Sequence, residues 1–258
     1  MKAIISWLLL AALLGLAIRE SNALAVPTST RAARAEREAS ARLAPVLKAQ
    51  ALELGAPVLI RVFKEERVLE LWLRTNAGRF ALLKAYPICA FSGDLGPKLA
   101  RGDGQSPEGF YAVRPGALNP NSSFHLSFDL GYPNAYDRAQ GRTGSALMVH
   151  GACVSIGCYA MTDPAIEEIW TSIAAALRNG QREIQAQLFP FKMAAEAMER
   201  RRGNRWYDFW ADLKKGYDLF EATKVPPRVE VREGRYRFTP APTSALHSAA
   251  EAGAGSRR

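Results

Sequence analysis

A chain of 258 residues that is 48% hydrophobic and 23% charged has the composition of an ordinary globular protein, sized for one medium domain with appendages or two small ones. Its 34 Lys and Arg against 25 Asp and Glu leave a formal charge of +9, which favours anionic partners such as an acidic wall polymer or acidic lipid. The basic residues are scattered rather than gathered into a run of roughly five to eight, so nucleic acid is not an expected partner.

The N-terminus carries Lys2, an apolar run from Ala3 to Ile18, and then Ala23-Leu24-Ala25 as a small-x-small site. This is the layout of a secretory signal peptide, residues 1–25, cleaved after Ala25. The run is shorter than the ~20 residues a membrane span needs; an uncleaved anchor is the alternative, and would be the chain's only membrane contact. No later stretch is apolar enough to span. The mature protein is therefore expected outside the cytoplasmic membrane, in the periplasm. There an odd number of cysteines (Cys89, Cys153 and Cys158) points to a free reactive thiol or an intermolecular link.

Residues 26–56 are rich in Ala, Arg and Glu, with Leu43, Val46, Leu47 and Leu54 near helical spacing. They predict a short helix or linker ended by Gly55 and Pro57. From residue 58 the runs "VLIRVFK", "RVLELWLR" and "RFALLKAYPICAF" predict three meandering strands, turning at Glu65-Glu66 and Asn76-Ala77-Gly78. The Gly- and Pro-dense stretch that follows reads as loop, closing in a strand near Phe110–Val113. "FHLSFDL" and "SALMVHG" predict further strands, the first holding His125 in alternation with apolar residues, and Pro133, Asn134 and Gly141 mark the loop between them. Past Asp163-Pro164 the apolar residues Ile166, Ile169, Trp170, Ile173 and Leu177 keep helical spacing, with Thr162 or Asp163 as N-cap and Asn179-Gly180 as stop. "EIQAQLFPF" returns to strand. Two helices are expected after Met193, the second with a core stripe of Trp206, Phe209, Trp210, Leu213, Tyr217 and Phe220, and "RVEVREGRYRF" reads as a basic hairpin. Residues 241–258, including His247, lack periodicity and are expected to be disordered.

Chemistry concentrates at residues 150–159, "HGACVSIGCY". Zinc would accept His150, Cys153 and Cys158, but a structural site needs four ligands and would have to recruit Cys89 or Asp163. A buried histidine beside two inert thiols is a second reading. The third is a cysteine nucleophile, Cys158, with His150 as its base. A nearby imidazole, backbone amides and the positive end of the following helix would lower the thiol pKa. Gly157 permits unusual φ and ψ, and the N–H groups of Gly157, Cys158 and Tyr159 could form an oxyanion pocket. Cys89 and Cys153 are expected either to pair, leaving Cys158 free, or to stay as inert thiols.

The run "HGACVSIGCYAMTD" resembles the signature of the YkuD-type L,D-transpeptidases, a His-Gly, a spacer, then Ser/Thr-x-Gly-Cys; here it falls on His150-Gly151 and Ser155-Ile156-Gly157-Cys158. "SPEGFY", residues 106–111, is similar to a second segment of that family. The later "LFPFKM" and "FWADLKKGYDLFE" resemble its YafK-like branch, which shares the three-residue spacer, Ile156 where most members have His, and Tyr159-Ala160 where most end in Arg. The resemblance implies an α+β fold: a β-rich catalytic domain over residues 57–191, with a helical extension and short hairpin at 192–240 packed against it. It implies no cofactor and no metal, and peptidoglycan stem peptides as partners. By position Cys158 is the nucleophile on the L-centre of meso-diaminopimelate, His150 moves the proton, and Ser155, Gly157, Gly151 and Tyr159 shape the loop or the oxyanion pocket. The resemblance leaves open transfer to an amine, hydrolysis of the bond that ties a lipoprotein's lysine to diaminopimelate, or, without catalysis, wall binding alone.

Overall fold

The computed structural model describes residues 25–241; the expected signal segment through Leu24 and the expected disordered tail from Pro242, with His247, lie outside the described residues. Helix α1 (Thr30–Ala49) opens on Ser29, whose Oγ accepts from the Ala32 N–H. Ala32, Ala35, Ala39, Leu43 and Leu47 form its buried stripe, and it packs along α3 (Asp163–Arg178). Glu36 of α1 fixes that crossing by taking two bonds from Arg178 at 2.7 and 2.9 Å and one from Trp170 Nε1 at 3.3 Å. The sequence predicts a short helix ended by Gly55 and Pro57. The helix instead has 20 residues, continues through Pro45 and stops at Ala49. Packing of the alanine and leucine stripe on α3 outweighs the proline.

The main sheet runs β3–β2–β1–β9–β4, with β1 (Val58–Phe63), β2 (Val68–Arg74), β3 (Phe80–Pro87), β4 (Gly109–Val113) and β9 (Ile184–Phe189). Only β1 and β9 are parallel. All six residues of β1 are buried, because both faces are covered. Val58, Ile60 and Val62 face the core shared with α1 and α3. Phe63 and Arg61 face α5 (Tyr207–Thr223) and the hairpin of β10 (Arg228–Arg232) and β11 (Arg235–Thr239). Arg61 is 1% exposed, bonds Gln187 and Glu221, and places its guanidinium 4.5 Å from the Phe220 ring centroid and 4.8 Å from that of Tyr217. The predicted aromatic stripe of α5 is thus core, and its C-terminal helices pack on the β domain as expected.

A second sheet, β5–β6–β7–β8, carries the residues of interest. Its strands are short: β5 (Leu118–Asn119), β6 (Ser127–Asp129), β7 (Met148–His150) and β8 (Tyr159–Ala160). Between β6 and β7, where the sequence predicts loop, lies α2 (Ala135–Ala139), opened by a reciprocal Asn134–Asp137 capping box. A short α4 (Ala195–Glu199) precedes α5. His125 does not lie in a strand. It has φ of +66°, its ring bonds Glu167 at 2.9 Å, and its carbonyl accepts from Arg31 of α1. Those two anchors hold a turn where alternation suggested a strand.

Candidate active site

The register of the second sheet brings His150 and Cys158 together. Phe128, Val149 and Tyr159 pair across β6, β7 and β8 and are fully buried. The neighbouring pairs therefore point to the opposite face: Ser127 beside His150, and Asp129 beside Met148. Cys158 immediately precedes Tyr159 and receives the Met148 N–H on its Sγ at 3.5 Å. His150 and Cys158 are thus diagonal neighbours on one face of adjacent parallel strands. No hydrogen bond joins them; the Cys158 thiol instead points to the Ala146 carbonyl at 3.8 Å.

His150 is buried and oriented. Its Nδ1–H donates to the Gly151 carbonyl at 2.7 Å, which leaves Nε2 as the lone-pair nitrogen of the neutral ring. Its ring lies against Phe124, centroids 4.7 Å apart. The Gly151 N–H donates to Phe124 and Leu126 carbonyls. A side chain at Gly151 would meet Asp163 Oδ1 at 2.5 Å, so only glycine lets these segments close on His150.

The loop between the two residues is held from several sides. The Ala152 N–H donates to Asp163 Oδ1 at 2.8 Å. Cys153 is joined to Cys89 in a disulfide, leaving Cys158 as the free cysteine. That bond answers the open question about Cys89 and Cys153, and it removes two of the thiols a zinc site needed. The Ser155 hydroxyl donates to the Cys158 carbonyl at 2.7 Å and accepts from the Gly157 N–H at 3.1 Å. Gly157 has φ of +142°, a conformation that disfavours any side chain. The Ser106 hydroxyl reaches the same Cys158 carbonyl at 3.2 Å, and the Tyr159 hydroxyl donates to the Pro107 carbonyl at 2.7 Å. The segments 106–111 and 150–159 are therefore one structure.

Three expectations need correction. Gly157 does not offer its N–H to an oxyanion, because Ser155 takes it; the Cys158 N–H, next to the thiol, is without a partner among the described residues. The start of α3 does not present a bare positive end, because Asp163 occupies its first turn. The thiol pKa is not lowered: burial pushes it up, the Asp129 charge adds to this, and the Met148 N–H and Lys98 only partly oppose it.

Sequence reasoning missed what supports the site. Lys64 and Glu108, both 0% exposed, pair at 3.1 Å. Lys64 also donates to the Gly96 and Ser106 carbonyls, and Glu108 accepts from the Gly96 N–H and from Trp210 Nε1 of α5. Only "SPEGFY" hinted at Ser106 and Glu108. Nothing in the pattern signalled Lys64, Phe124 or Asp129, whose placement depends on strand register.

Residues 57–182 match the YkuD L,D-transpeptidase catalytic domain. The proteins named "Putative L,D-transpeptidase YafK" from Escherichia coli K12 and O157:H7 are each 48% identical over 198 residues, covering 76% of this chain and 80% of theirs. Among solved structures, the helical cell shape determining protein Pgp2 (K307A mutant) of Campylobacter jejuni aligns at a TM-score of 0.44 and 20% identity, over 64% of this chain and 56% of that one.

Proposed function

The chain belongs to the YkuD family of L,D-transpeptidase catalytic domains, and on that premise we propose that it is a secreted, periplasmic enzyme that uses Cys158 to form a thioester on peptidoglycan stem peptides. The observation that carries this reading is that the one cysteine outside the disulfide shares a sheet face with a buried histidine whose Nδ1 is held by the Gly151 carbonyl. His150 Nε2 takes the Sγ proton as the sulfur attacks the amide carbonyl on the L-centre of meso-diaminopimelate. The Cys158 N–H faces the developing oxyanion. As the C–N bond breaks, His150 returns the proton to the departing amine and a thioester remains. An incoming amine then attacks the thioester, its proton passes to His150, and the thiol is released; with water in place of the amine the product is a free carboxylate. Ser155, Ser106 and Gly157 keep the Cys158 carbonyl and loop in place, Gly151 lets the histidine strand pack, and Tyr159 ties it to Pro107.

The test is mass spectrometry of products from the mature protein on isolated sacculi, half of them carrying covalently bound lipoprotein, beside Cys158→Ala. New diaminopimelate–diaminopimelate links, or exchange of a stem peptide's terminal residue for an added amine, are expected. Release of lipoprotein without new links would make the enzyme an amidase. No Cys158-dependent product would leave wall binding as the function.

A further inference from the structure

Asp129 stands apart from the other carboxylates. It lies on the face that holds His150 and Cys158, paired in register with Met148, whose N–H touches the Cys158 sulfur. At ~4.8 Å per strand, β6 lies about 10 Å from β8, with Met148 between. One carboxylate oxygen accepts from the Gly131 N–H at 2.7 Å; the other has no partner among the described residues. Every other buried or half-buried carboxylate among the described residues has a lysine or arginine within 4.0 Å. Asp129 has none, although the chain holds 34 such residues. Lys98, the basic group that acts on the Cys158 thiol, is committed to Asp103 and the Ala100 carbonyl.

Resting on the reading above, we infer that Asp129 is the seat of a primary ammonium group of the substrate, held on the sheet face that carries the thiol, two strands away from it. A carboxylate half out of water without a cation is costly unless something pairs with it, and a reaction at diaminopimelate brings amines to this face. Burial already holds the Asp129 carboxyl above its usual value. Its charge also opposes ionisation of Cys158. An ammonium on Asp129 cancels that repulsion, so a bound substrate makes the thiolate easier to form. Asp129 thereby couples recognition to activation of the nucleophile.

Two molecules carry such an amine, the acyl donor and the acceptor. For the donor, calorimetry on full-length Cys158→Ala compares a diaminopimelate tetrapeptide with its N-acetylated form. For the acceptor, the KM of added diaminopimelate against its mono-N-acetyl derivative is measured in turnover. One of the two pairs is expected to show a preference for the free amine of about tenfold. Asp129→Asn is expected to abolish that preference, so that free and acetylated forms behave alike. Equal affinity of the Asp129-bearing protein for free and acetylated forms in both pairs overturns the proposal without recourse to the variant. So does an equal loss for both forms in Asp129→Asn. Amine-selective binding without any Cys158-dependent product would instead retain the seat and reject the acyl-transfer reading.

Discussion

Glu108→Gln isolates the buried pair beneath the site. Glu108 accepts two hydrogen bonds, from the Gly96 N–H and Trp210 Nε1, pairs with the Lys64 ammonium at 3.1 Å, and is fully buried. Glutamine keeps the shape but removes the charge and turns one acceptor oxygen into a donor that must face another donor. Lys64, itself 0% exposed, is then left as an uncompensated ammonium. Breaking a buried pair from one side costs about 3–5 kcal/mol. For a domain of this size each kcal/mol moves Tm by roughly 2–4 °C, so thermal unfolding followed by circular dichroism should show a fall of about 6–20 °C. The double replacement Lys64→Met with Glu108→Leu should lose less than Glu108→Gln alone, since no orphan charge remains. A fall under about 3 °C for the single variant would show that Lys64 is neutral or hydrated in the folded state, and the reasoning would fail.

The remaining expectations concern the loop and the thiol. Because burial and Asp129 raise the Cys158 pKa, less thiolate exists at neutral pH, and alkylation by iodoacetamide should rise with pH to a midpoint above the ordinary thiol value of ~8.5; a midpoint at or below that value refutes it. Replacing Cys89 and Cys153 together with alanine opens a closure of 64 residues, worth about 4 kcal/mol in the chain-entropy picture; urea unfolding should report it, and an unchanged midpoint would mean the loop is held without the bond. Ser106→Ala removes one of two hydroxyls from the Cys158 carbonyl, and kcat should fall about three- to tenfold with KM little changed; an unaltered kcat would leave Ser155 as the sufficient anchor. His150→Ala should abolish thioester formation seen by intact-protein mass spectrometry, and undiminished adduct would reassign the base.

Periodicity made the strongly patterned elements legible. β1, β2, β3, α3, α5 and the hairpin stand where alternation or helical spacing put them, because in each the core imposes the period. The short second sheet was harder. Strands of two or three residues such as β6 and β8 leave too little pattern to read, and His125 and α2 were misplaced for that reason. At the site, His150 and Cys158 were legible from residue type and local spacing. The Lys64–Glu108 pair, the Phe124 cover and the position of Asp129 were not, since each joins segments far apart in the chain, and a charged residue in sequence looks like solvent-facing surface until its partner is known.

Strand β9 has a consequence for where this protein can be divided. The match to the YkuD catalytic domain ends at residue 182, yet β9 begins at Ile184 and, among the described residues, is the strand that joins β1 to β4. A chain trimmed to residues 57–182 would leave two open sheet edges, and β4, which continues from the Ser106 segment, would have no neighbour. It would also strip α1 from α3 and Trp210 from Glu108. Such a fragment is expected to aggregate rather than fold. The catalytic-domain match and the stretch that must fold together have different ends, and a truncation that respects the second runs from before Ser29 to beyond Phe238.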